Sequence, residues 1–313
     1  MRGALRTDSD TTADARLDLQ DRRLPADTAD TASIPAGLHL TFRSTGRAFV
    51  IRFTYSGQPH PMSPPTRANS FTLWHGEQIV ASALAETGEV TMICPSDSLD
   101  GSLEFTLYLP EALGVTVESI ETAGTLEPPT GRPLVLAYGD SIVQGWSTTD
   151  PGRSWTAVVG RALRAEVCNL GFAGAARGEV AVAEQIAGTD RSPDAVILAF
   201  GTNSWTFPPT TPVALAETLR IFVTTLRQKW AEIPIVVISP IVRPDADHVP
   251  NRLGATLHDL RMALETAASE RDDIILVPGL PLMPASALVD GIHPGDEGHA
   301  AIAAAVVAAI GDL

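Results

Sequence analysis

The chain has 313 residues, of which 44% are hydrophobic and 19% are charged, so it is long enough for a sizeable core in one large domain or two ordinary ones. Its formal net charge of −15 and isoelectric point of about 4.8 argue against nucleic acid and anionic membranes as partners. No apolar stretch is long enough for membrane insertion, and the polar start of the chain lacks the apolar run of a signal peptide. We therefore expect a cytoplasmic protein, or a secreted one if a leader has been removed.

The first 124 residues predict an N-terminal extension followed by an all-β domain. Residues 1–34 carry little apolar pattern, which predicts an extension that is partly disordered or lies on the protein surface. Residues 35–124 hold short strand-like runs separated by turn residues, the pattern of a jelly-roll-like β-sandwich. The runs are 38–43, 48–53, 70–74, 78–84, 89–93, 103–109 and 115–122. The short polar stretch between the first two runs predicts a β-hairpin.

Residues 125–133 are rich in proline and glycine and predict a linker. Beyond them, residues 134–313 alternate apolar strands with helices, which predicts a parallel sheet covered by helices on both faces. The strands are expected at 134–138, 166–170, 194–200, 233–241 and 274–277, and the helices at 154–165, 179–186, 212–230, 252–268 and 294–310. The expected fold class is therefore α/β, with a three-layer domain behind a smaller β-sandwich.

Residues suited to catalysis stand where three of these strands end. Ser141 follows the first strand, Gly174 follows the second, and Asn203 follows the third. The carboxyl ends of parallel strands lie along one edge of the sheet, where ligands bind in open α/β folds. Asp290 and His293 come just before the last predicted helix, and we expect them to meet the other three residues at this edge.

Each of these residues suits one part of an acyl transfer. Ser141 is a weak nucleophile until a base removes its proton, and His293 is the candidate base because imidazole titrates near neutral pH. Asp290 lies three residues earlier, so a single turn brings its carboxylate to the imidazole and holds the tautomer. The amides of Ser141 and Gly174 and the side-chain NH2 of Asn203 are candidate donors for an oxyanion hole.

Simpler roles stay open for several of these residues. Asp140 and Ser141 are both residue types that cap helix N-termini, and Asn203 is a residue type common in turns. A glycine after a strand is often only part of a turn, and Gly171 is the alternative to Gly174 as the oxyanion glycine.

Three aromatic residues follow two of the strand-end loops. Trp146 comes after the first loop, and Trp205 and Phe207 come after the third. They suit a possible substrate pocket for an acyl group or a sugar. Packing in the core or against a loop is an equally open alternative for all three.

We expect neither a metal nor a cofactor. Asp290, His293, Asp296 and His299 lie close together in the chain, but their spacing is not a recognised zinc pattern. Asp290 also suits a plain turn role. The two cysteines lie at or in different apolar runs, which favours buried thiols over a disulfide or a metal site.

The pattern resembles the SGNH hydrolases, also called the GDSL esterase/lipase family, over residues 134–313. Four blocks match in order: Gly139-Asp140-Ser141-Ile142 for the nucleophile, Gly174 for the oxyanion glycine, Gly201-Thr202-Asn203 for the asparagine, and Asp290-Gly291-Ile292-His293-Pro294 for the acid and base. Ile142 replaces the leucine of the family name, a conservative change. The Gly-x-Ser-x-Gly elbow of α/β-hydrolases is not matched, because Val143 stands at its second glycine.

The resemblance implies a three-layer, flavodoxin-like α/β/α domain and a serine esterase that works through an acyl-Ser141 intermediate. The implied substrate is a small carboxylic ester, such as an acetyl or other short acyl ester of a carbohydrate or natural product. A β-sandwich before such a domain looks like carbohydrate-esterase-like members, and it is also similar to a group of natural-product acyltransferases. The alternatives are an acyltransferase with the same triad and a non-catalytic glycan-binding protein. The sequence carries no signal for an oligomeric state.

Overall fold

The computed structural model describes residue 5 and residues 16–56, 69–95, 101–111 and 114–311. The described chain forms an antiparallel β-sandwich followed by a parallel α/β sheet with helices on both faces. The predicted fold class is thus confirmed. Within the described ranges, no helix is both long enough and apolar enough to cross a membrane.

Two antiparallel sheets form the sandwich. Their strands are β1 (His39–Ser44), β2 (Ala48–Ser56), β3 (Ser70–His75), β4 (Gln78–Leu84), β5 (Glu89–Ile93), β6 (Leu103–Tyr108), β7 (Gly114–Glu121) and β8 (Leu126–Glu127). One sheet has the order β4-β3-β6-β1-β8 and the other β5-β2-β7. Phe42, Phe49 and Phe105 meet between the sheets with ring centroids 5.1–5.8 Å apart. Alternating side chains from the two inner faces make this core.

The predicted hairpin between the first two strands is wrong, because β1 and β2 lie in different sheets. β1 pairs with β6, whereas β2 pairs with β5 and β7. The chain crosses between the sheets after Ser44, whose hydroxyl donates to the carbonyl of Thr125 at 2.5 Å. A run of apolar residues predicts a strand in either sheet, so it does not reveal which strands pair.

The end of the sandwich also differs from the expectation. Leu126 and Glu127 of β8 pair with Ser44 and Arg43 of β1, so the predicted linker over 125–133 includes a strand of the sandwich sheet. Two residues are too few to give a recognisable period of apolar residues.

The parallel sheet has five strands: β9 (Leu134–Gly139), β10 (Glu166–Gly171), β11 (Ala195–Ala199), β12 (Ile235–Ile238) and β13 (Ile274–Val277). They lie in the order β10-β9-β11-β12-β13, and all neighbours are parallel. Every residue of β9 and β10 is buried, as expected for strands covered on both faces. This flavodoxin-like order reverses direction next to β9, and in such sheets the ligand crevice lies at that point.

The helices are α1 (Ala26–Ala32), α2 (Ser141–Gln144), α3 (Trp155–Ala162), α4 (Val180–Ala187), α5 (Asn203–Thr206), α6 (Pro212–Lys229), α7 (Leu257–Ser269) and α8 (Asp296–Ile310). α3 and α8 pack on one face of the parallel sheet, and α4, α6 and α7 pack on the other. Cys94 and Cys168 are free and buried, so the prediction of buried thiols is confirmed. Burial raises the pKa of the Cys168 thiol to about 12.

Part of the predicted N-terminal extension belongs to the core of the α/β domain. The side chains of Leu17 and Leu24 are buried in the apolar layer that contains α4 and α6, and the Arg16 side chain is 1% exposed. This part of the extension therefore lies against the α/β domain and is anchored by these buried side chains, whereas residues such as Leu19 and Arg22 are exposed. Its buried side chains are too widely spaced to give a periodic signal. Residues 1–4 and 6–15 lie outside the described residues.

The sandwich rests on α3 and on the loop that precedes it. The indole Nε1 of Trp74 donates to the carboxylate of Asp150 at 3.1 Å. The guanidinium of Arg161 lies 4.2 Å from the centre of the Trp74 ring and donates to the Tyr108 hydroxyl at 3.2 Å. Since Asp150 follows α2 by a few residues, the sandwich supports the loop that comes after Ser141.

Candidate active site

Ser141 lies at the carboxyl end of β9, the first strand of the parallel sheet. Asp140 is the N-cap residue of α2, and its carboxylate accepts a hydrogen bond from the amide of Ile142 at 2.9 Å. The hydroxyl Oγ of Ser141 lies 2.8 Å from Nε2 of His293. Asp140 therefore takes the capping role, and the Ser141 hydroxyl is bonded to the imidazole instead.

The loop before α8 brings Asp290 to the other side of the same imidazole. Nδ1 of His293 lies 2.7 Å from Oδ2 of Asp290. The second carboxylate oxygen, Oδ1, accepts the backbone N–H groups of Ile292 and His293 at 3.0 and 2.8 Å. Because an ionised carboxylate only accepts, Nδ1 carries the proton and Nε2 is left to accept the proton of Ser141.

Burial of His293 favours the neutral imidazole near pH 7. Burial lowers the pKa of His293, and the positive charge of Arg243 lowers it further, against an opposing effect of Asp290. Burial also works against ionisation of Asp290, but its hydrogen bonds from His293 and Ile292 keep the pKa of that carboxyl below its ordinary value. A neutral imidazole beside an ionised carboxylate is the state that a general base requires.

Gly174 lies in the turn after β10, on the same sheet edge as Ser141. Its φ of +73° is left-handed, a conformation that glycine adopts without steric cost. Within the described part of the chain, the amides of Gly174 and Ser141 donate to no protein acceptor. Both amides are therefore available to a bound oxyanion.

Asn203 is the first residue of α5 and lies four residues after the end of β11. Its side-chain amide donates one hydrogen bond to the carbonyl of Ala175, in the turn that also holds Gly174. A primary amide has two N–H donors, so the second one is left for a ligand. The contact with Ala175 therefore links the segment after β11 to the turn after β10.

A cleft of about 210 Å³ joins these groups. Its lining includes Ser141, Trp146, Gly174, Asn203, Thr206, Arg243 and His293. The Trp146 ring lies 5.6 Å from the His293 ring. The cleft thus brings together four of the five residues expected at the sheet edge, and all its lining residues come from the α/β domain. The fifth, Asp290, does not line the cleft and is joined to it through its hydrogen bond with His293.

Trp205 and Phe207 do not line this cleft. The indole Nε1 of Trp205 donates to the carbonyl of Val249 at 2.8 Å, and its ring packs against the apolar layer below α6. Phe207 is 69% exposed. Of the three aromatics expected in a substrate pocket, only Trp146 lines this cleft.

Gly171 has a packing role. A Cβ at this position would lie 2.0 Å from the backbone nitrogen of Gln144 in α2, so only glycine allows α2 to lie so close to β10. The Gln144 side chain accepts the amide of Ala173 at 2.9 Å, which fixes the start of the glycine turn. This geometry favours Gly174 over Gly171 as the oxyanion glycine.

Asp290, His293, Asp296 and His299 lie close together in the sequence but do not form one cluster. Asp290 bonds to His293, whereas Asp296 and His299 bond to other residues. Asp296 accepts the backbone amide of Thr149 at 2.8 Å. His299 is buried in α8, where Nδ1 accepts the amide of Trp155 at 3.3 Å and Nε2 lies 3.2 Å from the Trp146 carbonyl. In the described ranges, no three His, Cys, Asp or Glu side chains are grouped so that they could hold a metal ion.

The sequence model of the GDSL-like lipase/acylhydrolase family matches residues 137–301, just over half of the chain. This chain belongs to the GDSL-like lipase/acylhydrolase family. The match begins in β9 and ends in α8, so it contains every strand end of the candidate site. The family resemblance predicted from the sequence is confirmed. A search of curated proteins finds no significant match.

Solved structures share the fold over almost the whole of this GDSL-like chain. A salicylyl-acyltransferase from a tetracycline biosynthetic pathway is 22% identical, with a TM-score of 0.81 over 99% of this chain and 93% of its own. A candidate GDSL-like lipase from Bacteroides ovatus is 21% identical, with a TM-score of 0.77 over 99% and 94%. A family two carbohydrate esterase from Clostridium thermocellum is 14% identical, with a TM-score of 0.65 over 94% and 96%. At these identities the likeness shows the fold.

Arg243 lines the cleft of this GDSL-like protein, and the sequence analysis does not identify it. Its guanidinium is held by the carboxylate of Asp245 at 3.0 and 3.3 Å and by the hydroxyl of Thr206 at 3.2 Å. It also lies 5.1 Å from the centre of the Trp205 ring. The one signal in the sequence is the position of Arg243 shortly after the carboxyl end of β12, the fourth strand.

Arg177 is the second functional candidate that the sequence analysis misses. Its guanidinium donates to the carbonyls of Gly174 at 2.7 Å and Phe207 at 2.5 Å. These carbonyls belong to the two turns that carry the candidate oxyanion donors. An arginine in a loop that follows a glycine turn has no sequence feature that distinguishes it from a solvent-exposed arginine.

Proposed function

We propose that this protein is a serine esterase that hydrolyses a small carboxylic ester through an acyl-Ser141 intermediate. The observation that carries the proposal is the chain of hydrogen bonds from Ser141 through His293 to Asp290, with links of 2.8 and 2.7 Å. Membership in the GDSL-like lipase/acylhydrolase family supports the same chemistry.

The first half of the reaction forms the acyl-enzyme. Ser141 Oγ attacks the carbonyl carbon of the ester while Nε2 of His293 accepts the hydroxyl proton. The carbonyl oxygen becomes an oxyanion, which receives hydrogen bonds from the Ser141 and Gly174 amides and the Asn203 side chain. The tetrahedral intermediate then expels the alcohol, which takes the proton from Nε2, and leaves the acyl group on Ser141.

The second half of the reaction repeats these steps with water. Nε2 of His293 accepts a proton from the water that attacks the acyl carbon, and the same three donors stabilise the second oxyanion. The intermediate releases the carboxylic acid and returns the proton to Ser141. Asp290 stabilises the imidazolium that exists in both halves, and it stays ionised throughout.

We propose a short acyl ester of a carbohydrate or natural product as the substrate. A cleft of about 210 Å³ suits a small acyl group, and its Trp146 ring beside His293 offers a flat apolar surface for a sugar or an aromatic ring. The similarity in fold to the family two carbohydrate esterase supports the carbohydrate assignment by analogy of fold.

A second candidate function is acyl transfer to an alcohol. It is favoured by the similarity to the salicylyl-acyltransferase, whose TM-score is 0.81. Both fates begin with the same acyl-Ser141, and the outcome depends on whether water or an oriented alcohol reaches the acyl carbon first. One acyl donor offered with a series of sugar and polyketide-like alcohols, with products resolved by mass spectrometry, separates the two. Ester formed faster than free acid at millimolar alcohol would make the protein an acyltransferase; we expect free acid.

The test of the esterase is a panel of p-nitrophenyl esters of increasing acyl length. We expect the wild type to hydrolyse the shortest esters best, and the Ser141→Ala variant to lose up to about 10⁶ in kcat. Ser147→Ala, which removes the next hydroxyl along the chain, is the matched control and should keep the activity. A folded Ser141→Ala variant with more than about a tenth of the wild-type rate, against that expected loss, would refute the proposal. A wild type inactive on every ester would point to the non-catalytic glycan-binding alternative.

A further inference from the structure

The turn after β10, residues 171–177, holds a conformation that needs outside support. Gly174 and Ala176 both adopt left-handed φ values, of +73° and +59°. For alanine this conformation is sterically unfavourable relative to the right-handed region. Such a backbone persists only where the surrounding structure holds it. We call residues 171–177 the oxyanion loop, because Gly174 is its candidate donor.

Arg177 supports this loop from its carboxyl end. One guanidinium nitrogen, Nη2, donates to the carbonyl of Gly174 at 2.7 Å and to that of Phe207 at 2.5 Å. The carbonyl of Gly174 thus has a fixed charged donor, which restrains the peptide plane between Gly174 and Ala175, directly after the Gly174 amide. Phe207 follows α5, so the same guanidinium also holds the segment after Asn203.

The N-terminal segment, residues 16–34, fixes Arg177 in turn. The other terminal nitrogen of Arg177, Nη1, donates to the carboxylate of Asp27 at 2.8 Å. Asp27 lies in the first turn of α1. Its neighbour Thr28 donates to the carboxylate of Glu179 at 3.0 Å, and the same oxygen of Glu179 accepts the backbone amide of Arg177 at 3.1 Å. Helix α1 therefore holds both the side chain and the backbone of Arg177.

Arg16 supports the amino end of the same loop. Its guanidinium donates to the carbonyl of Gly171 and to that of Thr31 in α1, and it lies 4.9 Å from the centre of the Phe172 ring. Desolvation lowers the pKa of this fully buried guanidinium to about 10, while the negative charge of Glu111 opposes the shift. A buried charge is tolerated only where its hydrogen bonds compensate for the loss of hydration. The hydrogen bonds of Arg16 therefore fix the N-terminal segment against the loop.

We infer that Arg177, held by Asp27 of the N-terminal helix, is a positioning residue that keeps the Gly174 amide in place for the transition state. The inference rests on the proposed function, since it concerns the oxyanion donor of the esterase. The N-terminal segment is then part of the catalytic apparatus, although none of its described residues lines the cleft.

The test uses the full-length protein and two variants of the partly exposed pair, Arg177→Gln and Asp27→Asn. We expect kcat on p-nitrophenyl acetate to fall by about 10- to 100-fold in Arg177→Gln, because a full oxyanion donor contributes about 10²–10³. Asp27→Asn should lose less, and KM should stay close to the wild-type value in both. The double variant should be no slower than Arg177→Gln alone, because the two residues act as one unit.

A boronic acid inhibitor gives a readout that stability alone would not change. It forms a tetrahedral anion on Ser141, so its inhibition constant should rise in parallel with the fall in kcat, whereas KM does not. The matched control is Arg23→Gln. It breaks the ion pair between Arg23 and Glu184, which joins the same N-terminal segment to α4 instead of the oxyanion loop.

Fluorophosphonate labelling of Ser141 distinguishes a failure of the proposed function from a failure of this inference. Suppose that the wild type is labelled and that Arg177→Gln and Asp27→Asn both keep the wild-type kcat and boronate affinity. That result would overturn this inference and leave the proposed function standing. An equal loss of kcat in Arg23→Gln would also overturn it, because the effect would then be a general loosening of the segment. A wild type that is neither labelled nor active would overturn the proposed function and this inference with it.

Discussion

Asp290 holds His293 at two points. Its Oδ2 atom lies 2.7 Å from the imidazole Nδ1, and its Oδ1 atom accepts the backbone N–H of the same residue at 2.8 Å. The loop is closed by the amide of Val289, which donates to the carbonyl of His293 at 2.8 Å. One carboxylate thus fixes both the ring orientation and the loop conformation, so Nε2 faces Ser141 before any substrate binds.

We predict that Asp290→Asn lowers kcat by about 10³–10⁴ with little change in KM. An asparagine amide offers a donor to Nδ1, which moves the imidazole proton to Nε2 and removes the acceptor for the Ser141 proton. The matched control is Asp296→Asn. Asp296 is not part of the Ser141–His293–Asp290 hydrogen-bond chain, and its carboxylate accepts the amide of Thr149. Steady-state kinetics of both variants decide the point; equal losses in the two would mean that Asp290 is only structural.

The pH dependence follows from the lowered pKa of His293. Burial and the charge of Arg243 place this pKa below its ordinary value of 6.5, and activity requires the neutral imidazole. As pH rises, kcat/KM should therefore increase on an acid limb whose midpoint lies below pH 6.5. Arg243→Gln removes a positive charge that disfavours the imidazolium, so it should move the midpoint to higher pH. A midpoint that does not move, or that moves to lower pH, would contradict the electrostatic role of Arg243.

Asn203→Ala should lower kcat by about 10²–10³, the usual effect of removing one oxyanion donor. KM should change less, because the hydrogen bond strengthens in the transition state. Asn203→Asp is the matched comparison, since it keeps the size of the side chain but replaces the donor with an acceptor. Unchanged kcat with a much higher KM would mean that Asn203 binds the ground-state substrate.

The esterase should keep its rate after dialysis against EDTA. The Asp290 and His293 side chains are bonded to each other, and the buried His299 bonds to the amide of Trp155. Neither histidine is in the arrangement that a catalytic zinc requires. Loss of activity that zinc or manganese restores would contradict this expectation; magnesium addition serves as the control for nonspecific salt effects.

The parallel sheet and its site residues can be predicted from the sequence because each buried strand is a nearly continuous apolar run. Ser141, Gly174 and Asn203 follow such runs directly, so their common edge follows from parallel topology alone. The start of α7 is less well predicted. The apolar period suggests residue 252, but the helix begins at Leu257, since Thr256 and Asp259 form a capping box.

The supporting residues of the site could not be predicted. Each of Arg16, Arg177 and Arg243 has at least one partner far away in sequence, namely Gly171, Asp27 and Thr206. Such contacts depend on the fold of the whole domain. The same limitation explains the wrong hairpin between β1 and β2. Local alternation predicts each strand, but the partner of a strand is chosen by the packing of two sheets around one core.

The central claim is that Ser141 carries the acyl group, and mass spectrometry of the acyl-enzyme tests it most directly. The wild type is mixed with p-nitrophenyl acetate, quenched in acid within the first turnovers and digested, and the peptide that contains Ser141 is sequenced. Asn203→Ala is treated in parallel as a slower enzyme with the same nucleophile. We predict one acetyl group on Ser141 in both proteins and none in Ser141→Ala. Turnover without an acylated serine, or an acetyl group on another residue that persists in Ser141→Ala, would contradict the account.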